Sequence, residues 1–320
     1  MRGRGRRWLR RGVLAALVAW NGLAIAAVRA ATHFSHESGP RQAGVRPGWW
    51  LVPWFVSHGL RVPRLGPGAP PVGPDGACQR QVLASTGGPA LEAWWWPSSG
   101  GRGSVVLFHG HAASKAAVLR EARVFRSLGW STLLVDFRAS GGSAGEVSSI
   151  GWYESEDVRA AVAHARRLGT GPLVLYGTSM GAAAVLKAAH EGVRAEALVV
   201  ESPFDSLRTT LAHRVEARGL PASPATETML AWGGLFLGMN AFRHNPADYA
   251  ADVTTPTLAV FGGRDPWVRP AEAARIYGAL RGPKRLHVFE DLGHVSFAGA
   301  RPAEWRAAVA AFLGAAAPPS

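Results

Sequence analysis

The chain has 320 residues, 48% of them hydrophobic, with 39 glycines and 22 prolines punctuating it throughout, a composition that describes a globular protein with a sizeable core. Its formal net charge is +13, yet Arg2, Arg4, Arg6, Arg7, Arg10 and Arg11 all precede the first apolar run. The remaining excess is scattered arginine with only three lysines, Lys115, Lys187 and Lys284, so no basic stripe interleaved with aromatics exists and nucleic-acid binding is not expected. Cys78 stands alone, which excludes an intrachain disulfide and a metal site built on thiolates.

Residues 1–30 open the chain with the basic segment and then an apolar run from Val13 to Val28, interrupted at Asn21 and Gly22. A membrane span wants about 20 residues and the apolar region of a signal peptide is shorter. The segment is therefore expected to be a signal anchor with its arginines inside, or else a signal peptide cleaved near Ala30, after Val28-Arg29-Ala30. Either way the rest of the chain lies outside the cytoplasm, membrane-anchored in the first case and secreted or periplasmic in the second. Residues 31–78 form a Pro/Gly/Trp-rich connector. Its cluster Trp49-Trp50-Leu51-Val52-Pro53-Trp54-Phe55 suits either a membrane interface or an arm packed on the next domain.

From residue 79 the punctuation becomes regular. Strands are expected over Gln79 to Ala84, Leu91 to Trp96, Ser104 to Phe108, Thr132 to Phe137, Leu173 to Tyr176, Ala197 to Glu201, Thr257 to Phe261 and Arg285 to Glu290. Helices fall between them: one capped by Ser114 with Val118, Ala122 and Phe125 at helical spacing, then Glu154 to Leu168, the run after Ser179, Ala271 to Leu280, and Ala303 to Leu313. This alternation predicts an α/β fold with a mostly parallel, eight-stranded sheet covered by helices on both faces. The stretch of about 205–252 is too long for one crossover and carries Leu230, Trp232, Leu235, Phe236, Leu237 and Phe242 among helix formers. It reads as a short helical lid inserted after strand 6, within a catalytic domain spanning 79–315.

The chemistry centres on Leu173-Val174-Leu175-Tyr176-Gly177-Thr178-Ser179-Met180-Gly181, a strand that runs into a Gly-x-Ser-x-Gly turn and straight on into a helix. Gly177 and Gly181 suit a turn whose backbones approach closely. Gly141-Gly142-Ser143-Ala144-Gly145 has the same pattern but no helix at its second glycine, and Ser143 reads as a loop serine. A serine hydroxyl needs a base held by a carboxylate. Asp265, in Phe261-Gly262-Gly263-Arg264-Asp265-Pro266, and His294, in Glu290-Asp291-Leu292-Gly293-His294, each follow a strand at its carboxyl end, where catalytic groups of an open α/β sheet gather. Asp248 and Asp252 are rivals that follow no apolar strand, and Asp291 reads as a loop residue. Glu154, Glu156 and Asp157 begin a helix and complement its dipole rather than bind a metal.

The order Ser, Asp, His at strand ends resembles the serine α/β-hydrolase superfamily over about residues 79 to 315. His109-Gly110-His111, Asp136-Phe137-Arg138 and Glu201-Ser202-Pro203-Phe204 resemble in particular the bacterial members that carry an N-terminal membrane segment. The usual Asp-x-Arg-Gly ends here in Ala139, which is expected to change loop conformation rather than chemistry. The resemblance implies an α/β-hydrolase fold, catalytic residues Ser179, Asp265 and His294, and an oxyanion hole made of the backbone N–H groups of Met180 and His111. His109 is expected to be a structural hydrogen-bonder. The activity implied is hydrolysis of a carboxylic ester or related small-molecule acyl substrate through an acyl-enzyme, with no organic cofactor and no metal. Peptide, amide or thioester cleavage would use the same parts, and a non-catalytic, membrane-tethered binding module of the same fold is the alternative of another class.

Overall fold

Short, wholly apolar strands alternating with amphipathic helices satisfy both only if helices cover a sheet on its two faces. That is the arrangement in the computed structural model, which describes residues 2–35, 62–73, 76–85, 87–169 and 171–316. The aromatic cluster from Trp49 to Phe55 lies outside these described residues.

A long helix, α1 (Arg2–Thr32), precedes eight strands: β1 (Gln79–Leu83), β2 (Leu91–Trp96), β3 (Ser104–Phe108), β4 (Ser131–Val135), β5 (Leu173–Thr178), β6 (Ala197–Glu201), β7 (Thr257–Gly262) and β8 (Lys284–Phe289). Helix α2 (Leu119–Ser127) follows β3, α3 (Glu154–Leu168) follows β4, and α4 (Met180–His190) follows β5. Three helices, α5 (Leu207–Glu216), α6 (Ala222–Leu237) and α7 (Pro246–Ala250), fill the insertion between β6 and β7. Beyond β7 come α8 (Pro270–Ala279) and, after β8, α9 (Phe297–Ala300) and α10 (Pro302–Ala316).

The strands form one sheet in the order β8-β7-β6-β5-β3-β4-β2-β1. Pairing is parallel from β8 to β4 and antiparallel only where β2 joins β4 and β1. The expected eight-stranded, mostly parallel sheet is therefore present. β2, β3, β6 and β7 are buried at every residue, whereas the edge strands β1 and β8 are each buried at one residue only, as a sheet covered on both faces requires. Alternate side chains serve opposite layers. Val106 and Phe108 pack with α3, α4 and α8, while Val105 and Leu107 pack with α2 and α10.

Register decides where the functional loops leave the sheet. Phe108 pairs with Gly177 and Thr178 with Glu201, so β3, β5 and β6 end level with one another. Gly262 pairs with Phe289 in the same way. The loops carrying His111, Ser179, Asp265 and His294 all leave from this carboxyl edge.

Two local expectations shift. Ser114 caps nothing: Lys115 to Val118 form a 3-10 turn, and α2 proper begins at Leu119. The Lys115 N–H that opens this turn donates to Asp136 Oδ1 at 2.6 Å. The strand expected from Thr132 to Phe137 ends at Val135, and the buried Asp136 just beyond it turns its carboxylate to that amide and to Lys115 Nζ. Ala139 adopts φ +59°, the left-handed region that favours glycine, so the loop holds a glycine-like backbone at the position where the resembled motif carries glycine.

Candidate active site

Ser179 sits between β5 and α4 with φ +53° and ψ −117°, a backbone conformation that costs a non-glycine residue about 1–3 kcal/mol. Its surroundings leave little choice. A Cβ on Gly177 would lie 2.5 Å from the Gly181 carbonyl oxygen, and one on Gly181 would lie 2.5 Å from that of Phe108. The turn is closed by Ser179 N–H donating to the Glu201 carbonyl at 2.8 Å. Both glycines of the motif are thus required by close backbone approach, as the sequence implied.

The structure brings Ser179, His294 and Asp265 together. The His294 imidazole Nε2 lies 3.1 Å from Ser179 Oγ, and its Nδ1 lies 2.6 Å from Asp265 Oδ2. Asp265 is buried, and its other oxygen, Oδ1, accepts from the Trp267 and Val268 amides at 2.8 and 3.1 Å. Every lone-pair direction that matters is occupied, so the carboxylate is fixed before the histidine meets it. The two loops are bonded to one another, Arg264 N–H donating to the Leu292 carbonyl at 2.9 Å. Beyond the histidine, Ser296 caps α9 by accepting from Gly299 N–H and donates its hydroxyl to Glu121 Oε1 at 2.5 Å.

Met180 and His111 border the same cavity as Ser179. Met180 is the first residue of α4, so its N–H has no acceptor within the helix. The His111 side chain is buried, which lowers its pKa, and Nε2 donates to the Ala31 carbonyl at 2.6 Å. His109 is wholly buried, and its pKa is also lowered by burial. Nδ1 donates to the Gly110 carbonyl at 2.7 Å and Nε2 accepts from Phe137 N–H at 3.2 Å, the bonds of a neutral structural histidine.

The rival residues are engaged elsewhere. Asp291 pairs with Arg301 at the surface, Asp252 with His190 at 2.7 Å, and Asp248 accepts from Asn245 Nδ2 at 2.9 Å. Ser143 is fully buried, donating to the Asp136 carbonyl at 2.6 Å and accepting from Glu92 N–H at 2.9 Å. Glu154 is tied by Ser148, Ser149 and Gly151, and Asp157 by Arg138.

The cavity over Ser179 measures about 600 Å³, within the usual range for a small-molecule site. Phe204, Leu207, Leu211, Val215 and Met229 contribute apolar surface from the insertion and its approach. Two features escaped the sequence reading. The far wall is α1, through Trp20, Leu23, Ala24, Ala27, Ala30 and Ala31; the polar interruption at Asn21 was the only signal that this run has a protein partner. Arg214 and Arg218 also line the cavity, and among the described residues no aspartate or glutamate does. Arg214 lies over the Trp267 ring at 5.0 Å, with its pKa lowered by burial.

A family model described as serine aminopeptidase, S33, matches residues 100–232, a span that holds His111, Ser179 and Met180. The uncharacterized protein Rv2307c of Mycobacterium tuberculosis is 32% identical over 219 residues, 67% of this chain and 71% of that one. YqkD of Bacillus subtilis is 27% identical over 199 residues, 60% of this chain, and the match spans 64% of the YqkD length. Among solved structures, the esterase Pf2001 of Pyrococcus furiosus superposes with a TM-score of 0.67 at 22% identity, over 80% of this chain and 97% of that one. With the sheet order, the serine turn and these relatives in agreement, the chain belongs to the α/β-hydrolase superfamily.

Proposed function

We propose that this protein is a serine esterase that cleaves carboxylic esters bearing an apolar acyl chain. Ser179 Oγ attacks the ester carbonyl while His294 Nε2 takes its proton, and Asp265 holds the imidazole in the tautomer that can do so. The N–H groups of Met180 and His111 receive the oxyanion. Collapse expels the alcohol, protonated by His294, and leaves an acyl-enzyme. Water, activated by the same histidine, then releases the acid and restores Ser179. The catalytic domain in this reading is 79–315, with the insertion at about 205–252 as its lid.

The observation that carries the ester reading over an aminopeptidase is the charge of the cavity. A free α-ammonium group calls for a carboxylate, and among the described residues the lining offers none; it offers the guanidinium groups of Arg214 and Arg218 instead. The remaining surface is apolar, which suits a hydrocarbon chain.

We also read α1 as a membrane anchor. Its segment Arg7–Thr32 is a 26-residue helix long and apolar enough by composition to cross a membrane, with the apolar run Val13 to Val28 making about 24 Å of it at 1.5 Å per residue. Leu9, Val13, Leu14, Leu17 and Val18 are exposed along it. The arginines before it favour a cytoplasmic amino end and an extracytoplasmic catalytic domain.

The test uses the full chain in detergent with a fluorophosphonate probe, a series of p-nitrophenyl esters and a series of aminoacyl anilides, beside Ser179→Ala. Labelling at Ser179 and ester turnover lost in the variant are expected. Turnover of the anilides alone would replace the esterase with a peptidase, and folded protein that neither labels nor turns over would make the chain a binding module.

A further inference from the structure

The N-terminal helix is bonded to the catalytic domain near its middle and at its carboxyl end. Toward its middle, Trp20 Nε1 donates to Thr228 Oγ1 at 3.1 Å, and Trp232 Nε1, also from α6, donates to Asn21 Oδ1 at 2.8 Å. At its carboxyl end the Ala31 carbonyl accepts from His111 Nε2 at 2.6 Å, and the Thr32 carbonyl accepts from Ser148 N–H at 2.8 Å. A tether needs none of these contacts. Asn21 is the most telling, because it is a polar side chain inside the apolar run whose nitrogen donates to the Leu17 carbonyl at 2.8 Å while its oxygen accepts from Trp232 of α6. The pairing fixes the register of α1 against α6.

That register turns Ala24, Ala27 and Ala31 toward the cavity that holds Ser179. From Ala31, beside the oxyanion loop, to Trp20 the wall runs about 16 Å. Ala27 stands partway along it, exposed on the helix and lining the cavity.

We propose that α1 is the wall against which the substrate's acyl chain lies, and that the small side chain of Ala27 sets how long a chain is accepted. The proposal rests on the esterase reading and adds the part of the chain that selects the substrate. It assigns to one helix both attachment to a membrane and recognition of the acyl group, so the same segment that enters the lipid lines the pocket.

The test measures kcat/KM for p-nitrophenyl butyrate and dodecanoate with the full chain in detergent. In Ala27→Phe the ratio of dodecanoate to butyrate turnover is expected to fall roughly tenfold or more, the scale on which an apolar pocket discriminates by size. Leu14→Phe, on the exposed face of α1, is expected to leave that ratio alone. An unchanged ratio in a folded Ala27→Phe protein that still hydrolyses butyrate overturns the proposal while the esterase stands. Absence of Ser179-dependent butyrate turnover in the native protein fails the esterase reading itself. Because a phenyl ring could disturb folding, a second measurement uses Ala27→Cys, a minor change. Its maleimide labelling should be blocked after Ser179 has reacted with a dodecyl fluorophosphonate but not with a methyl one. Equal labelling after both reagents would also overturn the proposal.

Discussion

Asp265→Asn is the sharpest test of how the hydrogen bonds around the proposed base determine its chemistry. In the native protein Oδ1 accepts from two backbone amides, Trp267 and Val268, and Oδ2 faces His294 Nδ1 at 2.6 Å. An asparagine keeps the shape but has only one accepting oxygen. The two amides claim it, since turning the NH2 group toward them would set donor against two donors. The NH2 is then directed at His294 Nδ1, which must become an acceptor, and the imidazole proton moves to Nε2, where it faces Ser179 Oγ. A base that already carries a proton on the working nitrogen cannot take another. The expected loss in kcat is about 10⁴-fold, equivalent to about 5.4 kcal/mol of barrier, with thermal unfolding little altered. Ester turnover by the purified full chain measures it, beside Asp291→Asn, whose carboxylate pairs with Arg301 at the surface. A folded Asp265→Asn protein within about tenfold of native turnover would refute the reasoning.

Three further outcomes follow from buried polar groups. Ser143→Ala, at the second Gly-x-Ser-x-Gly match, is expected to keep ester turnover within about threefold and to lose about 1–2 kcal/mol of stability, since it leaves the Asp136 carbonyl and Glu92 N–H without their hydroxyl partner; turnover collapsing as in Ser179→Ala would contradict the choice of nucleophile. Lys115 is fully buried between Glu92 and Asp136 and over the Trp94 ring at 4.6 Å, so Lys115→Met should cost about 3–5 kcal/mol by removing the buried cation and leaving Asp136 with backbone amides alone and Glu92 with the exposed Arg80. Urea unfolding checks this, and a loss below about 1 kcal/mol would show the ion cluster to be dispensable. Burial and the neighbouring Glu121 raise the Glu201 carboxyl from 4.5 to about 8, so the folded state holds a proton that the unfolded state releases. The stability contributed by that proton is complete below pH 4.5 and is lost as pH rises through about 8. Glu201→Gln, which keeps an acceptor for Trp305 Nε1, should match the native protein near pH 5 and exceed its melting temperature near pH 9; a difference independent of pH would rule the linkage out.

The parts of the site that the sequence exposed are those whose cause is local. A strand, a serine between two glycines and a helix are contiguous, and the steric demand on Gly177 comes from backbone within the same turn, although that on Gly181 comes from the end of the neighbouring strand β3. Asp265 and His294 were legible because each follows an apolar run, and parallel register carries such strand ends to one edge. Lys115 was not legible as a core residue. A lysine reads as surface until Glu92 and Asp136 are known to converge on it, and that convergence depends on β2 and β4 being neighbours. The Ser114 side chain likewise makes no cap bond, and the amide that opens the turn after it is held by Asp136, 21 residues away.

The N-terminal helix marks where local signals stop. Hydropathy says that Val13 to Val28 must be covered by something apolar, but lipid, a core and a lid of leucine and tryptophan satisfy that demand equally well. What separates them is Asn21, whose partner Trp232 lies 211 residues away. The structure gives this one polar residue a consequence for processing as well as for catalysis. Cleavage near Ala30 would remove Trp20, Leu23, Ala24 and Ala27 from the cavity and leave Trp232 and Thr228 without their partners on α1. A secreted form and a form with the intact cavity are therefore different molecules, and amino-terminal sequencing of the membrane-associated, probe-labelled protein is expected to begin upstream of residue 20. Active protein beginning near Ala31, with undiminished preference for long acyl chains, would separate α1 from the pocket and return it to the role of a leader.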